Sequence, residues 1–391
     1  MPILRRMRNR KKVRSRPKEK PNKPHRPFRQ RLLAVLPILT WAILFTLFYG
    51  NSGVVRKLEP LAQDFTMRVR TPKGNSDIVL VQITRDDYIN FFGGKSPLDP
   101  TKVNKIIDSI ASAKPKVLGV DIDTSPETFE SIKISADWPP IIWARDAAYS
   151  HLQRKHILSR LLGKKSSSAE YGLTTFKLDS DGAIRRYTRW YDTDEGPAPS
   201  FSWAILQKFR NSKTPPSASD FNDEFLIDYV GPAKLNHFFS IPVSQLPGMP
   251  GQGPLGEGNI LENKMVILGG DYAVEDEHDS SVGWMTASEI LASIIETEQQ
   301  GRERKPMGTF AFVLLAVISS MVLVLLHRFD LWKTLLMSIV LLLIAVVLSL
   351  RLFASVYQVG NLLLILSLVL LYEVYEKGKE YLKKRREEAA E

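Results

Sequence analysis

Asp121 and Asp123 close a short β-branched run, Lys116 to Ile122, and Asp86 and Asp87 close another, Ile78 to Ile83. Carboxylates at the carboxyl ends of buried strands stand where open α/β sheets present ligand-binding groups. If the two strands are parallel neighbours, their acids share one crevice. The structural alternative is that they cap the loops or helices that follow, and Ser125-Pro126 has the form of a helix start. A third acidic run extends from Asp271 to Asp279 and includes His278. Such oxygen ligands suit a hard divalent cation, yet the Asp-x-Asp-x-Asp-Gly spacing of a calcium loop is missing, and a solvated loop is the alternative. Arg185, Arg186 and Arg189 follow the turn Asp179-Ser180-Asp181-Gly182, and strand alternation sets Arg185 and Arg189 on one face and Arg186 on the other. These arginines would take an anionic ligand or partner, or pair with carboxylates of the same domain. The candidate ligand-binding residues are therefore Asp86, Asp121, Asp123, Arg185 and Asp271.

No other chemistry is visible. The chain has no cysteine, which excludes thiol catalysis, cysteine-ligated zinc and disulfide scaffolds. Its six histidines show no metal-ligand spacing; His151 and His156 are five apart, off a common helical face. No nucleophile elbow, phosphate-binding loop or metalloprotease motif occurs. The expectation is a protein that is not an enzyme and that carries no metal and no cofactor.

The elements that must position these residues alternate along the middle of the chain. Ile78 to Ile83, Lys116 to Ile122, Ile141 to Ala144 and Lys264 to Leu268 read as short buried strands. Asp99-Pro100 starts a helix, a capping side chain followed by proline in the first turn, and Val103, Ile106, Ile107 and Ile110 then fall on one helical face. Tyr171 to Phe176 and Ile184 to Tyr191 read as a strand pair around the 179–182 turn, and Phe225 to Val230 as a further strand. Ser200 to Phe209 and Trp284 to Thr297 read as helices, and residues 54–70 as a polar helical continuation of the apolar stretch before them. The alternation predicts one α/β domain over residues 51–305.

Around that domain the chain is strongly segregated. Of its 391 residues, which carry a net charge of +11, the first 31 hold fourteen Lys and Arg against one acid, Glu19. Arg and Lys interleaved with Pro cannot bury apolar surface, so residues 1–31 are expected to form a disordered cytoplasmic tail. Its Arg5, Arg6, Arg8, Arg10, Lys11, Lys12, Arg14 and Arg16 suit anionic lipid head groups or an acidic partner; a nucleic acid is not the expected partner. Leu32 to Tyr49 is charge-free, long enough to span a bilayer core of about 30 Å, and ends in bulky Phe48 and Tyr49 where a cleavage site needs small residues. It reads as an uncleaved anchor, residues 32–50. Three later apolar stretches give spans at 308–327, 334–353 and 355–375, followed by a charged helical tail, 376–391. Lys and Arg flank the spans so that both termini and the short loop Arg328 to Lys333 stay in the cytoplasm. Residues 51–305 are then extracytoplasmic. The fold class expected is an α/β exported domain plus four transmembrane α-helices, one N-terminal and three C-terminal, and the setting is a bacterial inner membrane.

The order of motifs resembles the CHASE domain of type two (CHASE-2), an extracytoplasmic sensor module of bacterial receptors. The stretches that carry the resemblance are QDFTMRVRTP (63–72), DIVLVQITRDD (77–87), KPKVLGVDIDTS (114–125), DSDGAIRRYTRW (179–190), FLIDYVGP (225–232), NKMVILGGDYAVEDEHDSS (263–281) and ASEILASIIETEQQG (287–301). They cover about residues 54–301, and three following spans are themselves typical of the family. The resemblance implies a ligand-sensing role coupled through the membrane to a kinase, nucleotide cyclase or phosphatase. This chain departs from the pattern in two places: the acidic and Thr-Pro pattern after the last core strand reads Asp276-Glu277-His278-Asp279-Ser280-Ser281, and only about sixteen residues follow the last span. The expectation is a sensory or regulatory subunit that binds a ligand or envelope protein and acts on a separate effector, with the lipid bilayer and a membrane or envelope protein as partners and an oligomer compatible with either. The alternative is a scaffold component of an envelope-spanning complex.

Overall fold

The computed structural model describes residues 77–302 apart from 166, 218–219, 222, 230–236, 250–258 and 273–276, together with Asp64, Met67, Arg68, Val340, Leu382 and 385–389. The basic tail and, apart from Val340, the four expected spans lie outside the described residues. Among the described residues no helix is long and apolar enough to cross a membrane.

Six strands make one parallel sheet in the order β12 (Phe239–Pro242), β1 (Ile78–Thr84), β13 (Met265–Asp271), β2 (Val117–Asp121), β3 (Ile141–Arg145) and β6 (Tyr171–Leu173). The continuous apolar runs have the reason parallel strands usually have: both faces are covered. One face packs on helix α2 (Pro100–Ser112), with Val79, Val81 and Ile83 of β1 against Val103, Ile106, Ile107 and Ile110. The other packs on helices α3 (Phe201–Phe209) and α4 (Ala287–Gln299), with Ile78, Leu80, Met265 and Ile267 against Phe201, Ile205, Leu291 and Ile295. Asp99 Oδ1 accepts from the Thr101 amide at 2.9 Å with Pro100 in the first turn, and Ser200 caps α3 through the Trp203 amide. The short helix α1 (Arg85–Asn90) leaves β1 directly, and its capping box uses Thr84 and Asp87.

Two smaller sheets flank this core. One runs β10 (Gly196–Pro199), β9 (Trp190–Thr193), β5 (Lys155–Leu158), β4 (Ala147–Ser150); the other runs β11 (Phe225–Leu226), β8 (Ile184–Tyr187), β14 (Glu277–Ser280), β15 (Gly283–Thr286), with β7 (Lys177–Leu178) pairing β8. Helix α4 lies between the parallel sheet and the second of these: Leu291, Ala292 and Ile295 face the first, Ile290 and Ile294 the second. Because the helix is covered on both sides, its polar Ser288, Ser293, Glu296, Thr297 and Glu298 are buried as well and are satisfied by hydrogen bonds or ion pairs.

Several elements differ from the sequence-based expectation. The strand predicted over Tyr171 to Phe176 does not pair with β8; residues 171–173 close the parallel sheet and β7 makes the hairpin around Asp179 to Gly182. The strand predicted over Ile184 to Tyr191 is two strands in different sheets, β8 and β9. Trp284 to Thr286 is strand rather than helix, and α4 begins only after Thr286, whose hydroxyl caps it. Ser125-Pro126 leads into a short 3-10 turn, Glu127–Ser131, rather than an α-helix. Glu277 to Ser280 is strand β14, not a solvated loop. The strand reversals follow from long-range pairing overriding a local pattern.

Candidate functional site

The carboxyl edge of the parallel sheet gathers part of the predicted set. The first and second predicted strands are parallel but not neighbours: β13 lies between them, so Thr84 is in register with Asp271, and Gly269 with Asp121. Three consecutive strands thus bring Asp271 and Asp121 to one edge, with Asp86 in the exposed first turn of α1 just beyond β1. Asp121 approaches β13 at Gly269, and Ser288 of α4 stands over the same glycine; a Cβ there would lie 2.9 Å from Ser288 Cβ and 3.8 Å from Asp121 Oδ2. Connections from β1 and β13 lead to helices on opposite faces, α2 and α4, the arrangement at which open α/β sheets commonly bind ligands.

The acids at this edge are shaped by burial and capping. Burial lifts the Glu289 carboxyl above its usual range, the amide and hydroxyl of Thr286 pull it back, and Asp271 and Glu277 push it further up. Asp123 is exposed and accepts from the Ser125 amide at 2.9 Å, the capping alternative read from its position. Among the described residues no group of three or more His, Cys, Asp and Glu is arranged to hold a metal ion.

Arg185 stands apart from that edge. It lies on β8, 3% exposed at its side chain, and donates to Asp64 at 2.9 Å through both Nε and Nη2, to Asp179 at 3.2 Å and to Asp181 at 2.8 Å. Burial opposes its charge, but Asp64 and Asp181 more than offset this and hold it above the ordinary arginine value. In turn the Arg185 hydrogen bonds hold Asp181 below the usual carboxylate range. All its donor directions are spent inside the protein, so the pairing alternative describes it. Arg189 is spent similarly, on Glu298 at 2.6 Å, and its guanidinium also lies 4.3 Å from the Phe225 ring centroid.

A second feature escaped the sequence. A cavity of about 730 Å³ opens between the four-stranded sheet and the sheet that holds β8. Aromatic rings form much of its wall: Tyr149, Phe176, Tyr187, Trp190, Tyr191 and Phe221. Cations and acids join them at Arg154, Lys177, Arg186, Asp192 and Glu224. His156 and Thr175 also line it, and His156 Nδ1 and Thr175 Oγ1 are buried with no hydrogen-bond partner among the described residues. Burial pulls the His156 imidazole below its ordinary value, against the opposing influence of Asp192, so it is neutral at pH 7. Small-molecule sites typically have about 300–1,000 Å³, aromatic walls and a few placed polar groups, and this cavity has all three.

Of the five predicted residues, then, Asp121 and Asp271 share the carboxyl edge of the sheet, Asp86 and Asp123 are exposed near strand ends, and Arg185 belongs to a separate buried network. None of them lines the cavity. Arg186, singled out with its neighbours as an anion contact, does.

A family model described as CHASE2 domain matches residues 38–327 of the chain. That reaches further than the motifs at 54–301, into the apolar stretches on both sides. No curated protein and no solved structure matches the chain.

Proposed function

This chain belongs to the CHASE2 domain family, a family of extracellular sensor domains, and from that premise we propose that it is a bacterial inner-membrane sensor or regulatory subunit. Its α/β domain, outside the cytoplasm, binds a ligand or an envelope protein. The membrane helices on either side carry the change to a separate cytoplasmic effector, and the chain itself catalyses no reaction. In this reading the basic tail, including Arg5, Arg8 and Lys11, holds the N-terminus at anionic lipid head groups.

The observation that supports it best is the open cavity of about 730 Å³, lined by aromatic rings and by buried polar atoms with no partner among the described residues. A domain that served only as a rigid docking block would gain stability by filling such a space, because unfilled volume forfeits packing contacts. Purification of the full chain in mild detergent tests the reading. A kinase, cyclase or phosphatase held at substoichiometric ratio is the expected result. A stoichiometric, salt-stable assembly of several envelope proteins, with none of these effectors, would replace the sensor by the scaffold.

Removal of Lys377 to Glu391 gives a second check. Insertion of the spans should survive and output should be lost, since the tail is the part of the last helix placed to touch an effector.

A further inference from the structure

We propose that the cavity is the sensory site, that it takes a small aromatic molecule bearing one negative charge, and that strand β8 reports its occupancy to both ends of the domain. This rests on the sensor reading and names the ligand class and the coupling element that reading leaves open.

The ligand class follows from the walls. Tyr149, His156 and Tyr191 lie on the successive strands β4, β5 and β9, with ring centroids 5.2 Å and 5.1 Å apart and edge-to-face. They make a neutral aromatic floor, and Phe176, Tyr187 and Trp190 stand around it. A flat ring laid on such a surface gains both apolar burial and offset or edge contacts. The charges then limit what the ring carries. Three cations and two carboxylates line the space, leaving one positive charge in excess. Lys177 pairs with Glu224, Arg186 lies 3.7 Å from the same carboxylate, and Asp192 is 3.3 Å from Lys155. Arg154, at the turn between β4 and β5, makes no ion pair among the described residues and is the cation left to meet an anion. A polyanion would be repelled by Asp192 and Glu224. The buried Nδ1 of His156 and Oγ1 of Thr175 supply hydrogen bonds to a ring substituent.

The coupling follows from neighbouring residues of one strand. Arg186 and Tyr187 of β8 line the cavity, and Arg185 next to them holds Asp64. Tyr187 also donates its hydroxyl to Glu298 Oε1 at 2.7 Å, and Arg189 just beyond β8 grips both oxygens of that carboxylate. In sequence Asp64 and Glu298 lie near the two ends of the domain, fourteen residues after the first expected span and ten before the second. A ring pressed against Tyr187 therefore bears on a strand fastened to both.

The test uses the full chain in lipid nanodiscs, with benzoate as the probe and benzyl alcohol as its uncharged counterpart. Calorimetry should show saturable benzoate binding, weaker by about tenfold or more for benzyl alcohol and for the Arg154→Ala variant. Arg154 is an exposed turn residue, and an unchanged unfolding midpoint would establish that the variant is folded. Amide hydrogen exchange at residues 296–302 should slow on addition of benzoate. Absence of saturable binding, or equal binding of benzyl alcohol, overturns the ligand class. An unchanged affinity in Arg154→Ala does the same for the anion contact. Saturable binding without any change of exchange at 296–302 overturns the role of β8 and keeps the site. Failure of the sensor reading looks different: a stoichiometric envelope complex, with benzoate binding intact.

Discussion

Arg185 and His156 show how differently a charged or titratable side chain behaves once its surroundings are known. Arg185 is buried beside Asp64, Asp179 and the more exposed Asp181, so removing it strands Asp64 and Asp179, which are themselves largely out of water. Loss of one partner from a buried ionic cluster costs about 3–5 kcal/mol. Arg185→Ala should lower the stability of the domain by that order in chemical denaturation, whereas exposed Arg154→Ala should leave it within about 0.5 kcal/mol. His156 predicts a pH dependence. Its folded value lies below the ordinary one because burial disfavours the cation. Below about pH 6.5 the unfolded chain therefore binds a proton that the folded chain resists, and stability falls as pH drops through that window. Asp181, held low by Arg185, loses its contribution only in stronger acid, below the ordinary carboxylate range. Glu289, pushed up by burial, acts with the opposite sign and is favoured as it protonates. Unfolding midpoints measured between pH 7 and pH 5 should fall less steeply for His156→Gln than for the parent; identical slopes would show that His156 does not set the dependence.

At the scale of elements, Gly172 decides how α3 meets the parallel sheet. It lies on β6, and a Cβ there would stand 2.5 Å from Phe201 Cα and 2.8 Å from its amide nitrogen, backbone atoms that cannot turn aside. Gly172→Ala should push the start of α3 off the sheet and cost about 1–3 kcal/mol, read as a lowered unfolding midpoint. The same close approach explains why Ser200, one residue before α3, can bridge to Leu173. The helix starts at Asp99 and Ser200, the buried runs of β1, β2, β3 and β13, and the apolar face of α2 were all legible from local pattern. Each depends only on the period of a helix or strand and on one capping side chain. The strands β4, β5, β9 and β10 were not, because each is only four residues long and β10 consists of Gly, Ala and two Pro, so no period can develop.

For the whole molecule the decisive expectation is topological, and the absence of cysteine makes it directly testable. Leu152 is 99% exposed at the tip of the turn between β4 and β5. In intact cells with a permeable outer barrier, Leu152→Cys should react with a membrane-impermeant maleimide, while Arg10→Cys should react only after the membrane is disrupted. Labelling in the reverse order would place the domain in the cytoplasm. The amino-acid sequence by itself determined the α/β class, the CHASE2 motifs, the segregation of basic and apolar residues, and most of the core strands, because charge count and side-chain period are properties of neighbouring residues. Only the tertiary structure decided that β13 enters between β1 and β2, that Arg185 finds Asp64 at a separation of 121 residues, and that a cavity forms from segments between 149 and 224. Strand order and cavity walls are set by pairings between distant segments, whose free energy no local window of residues contains.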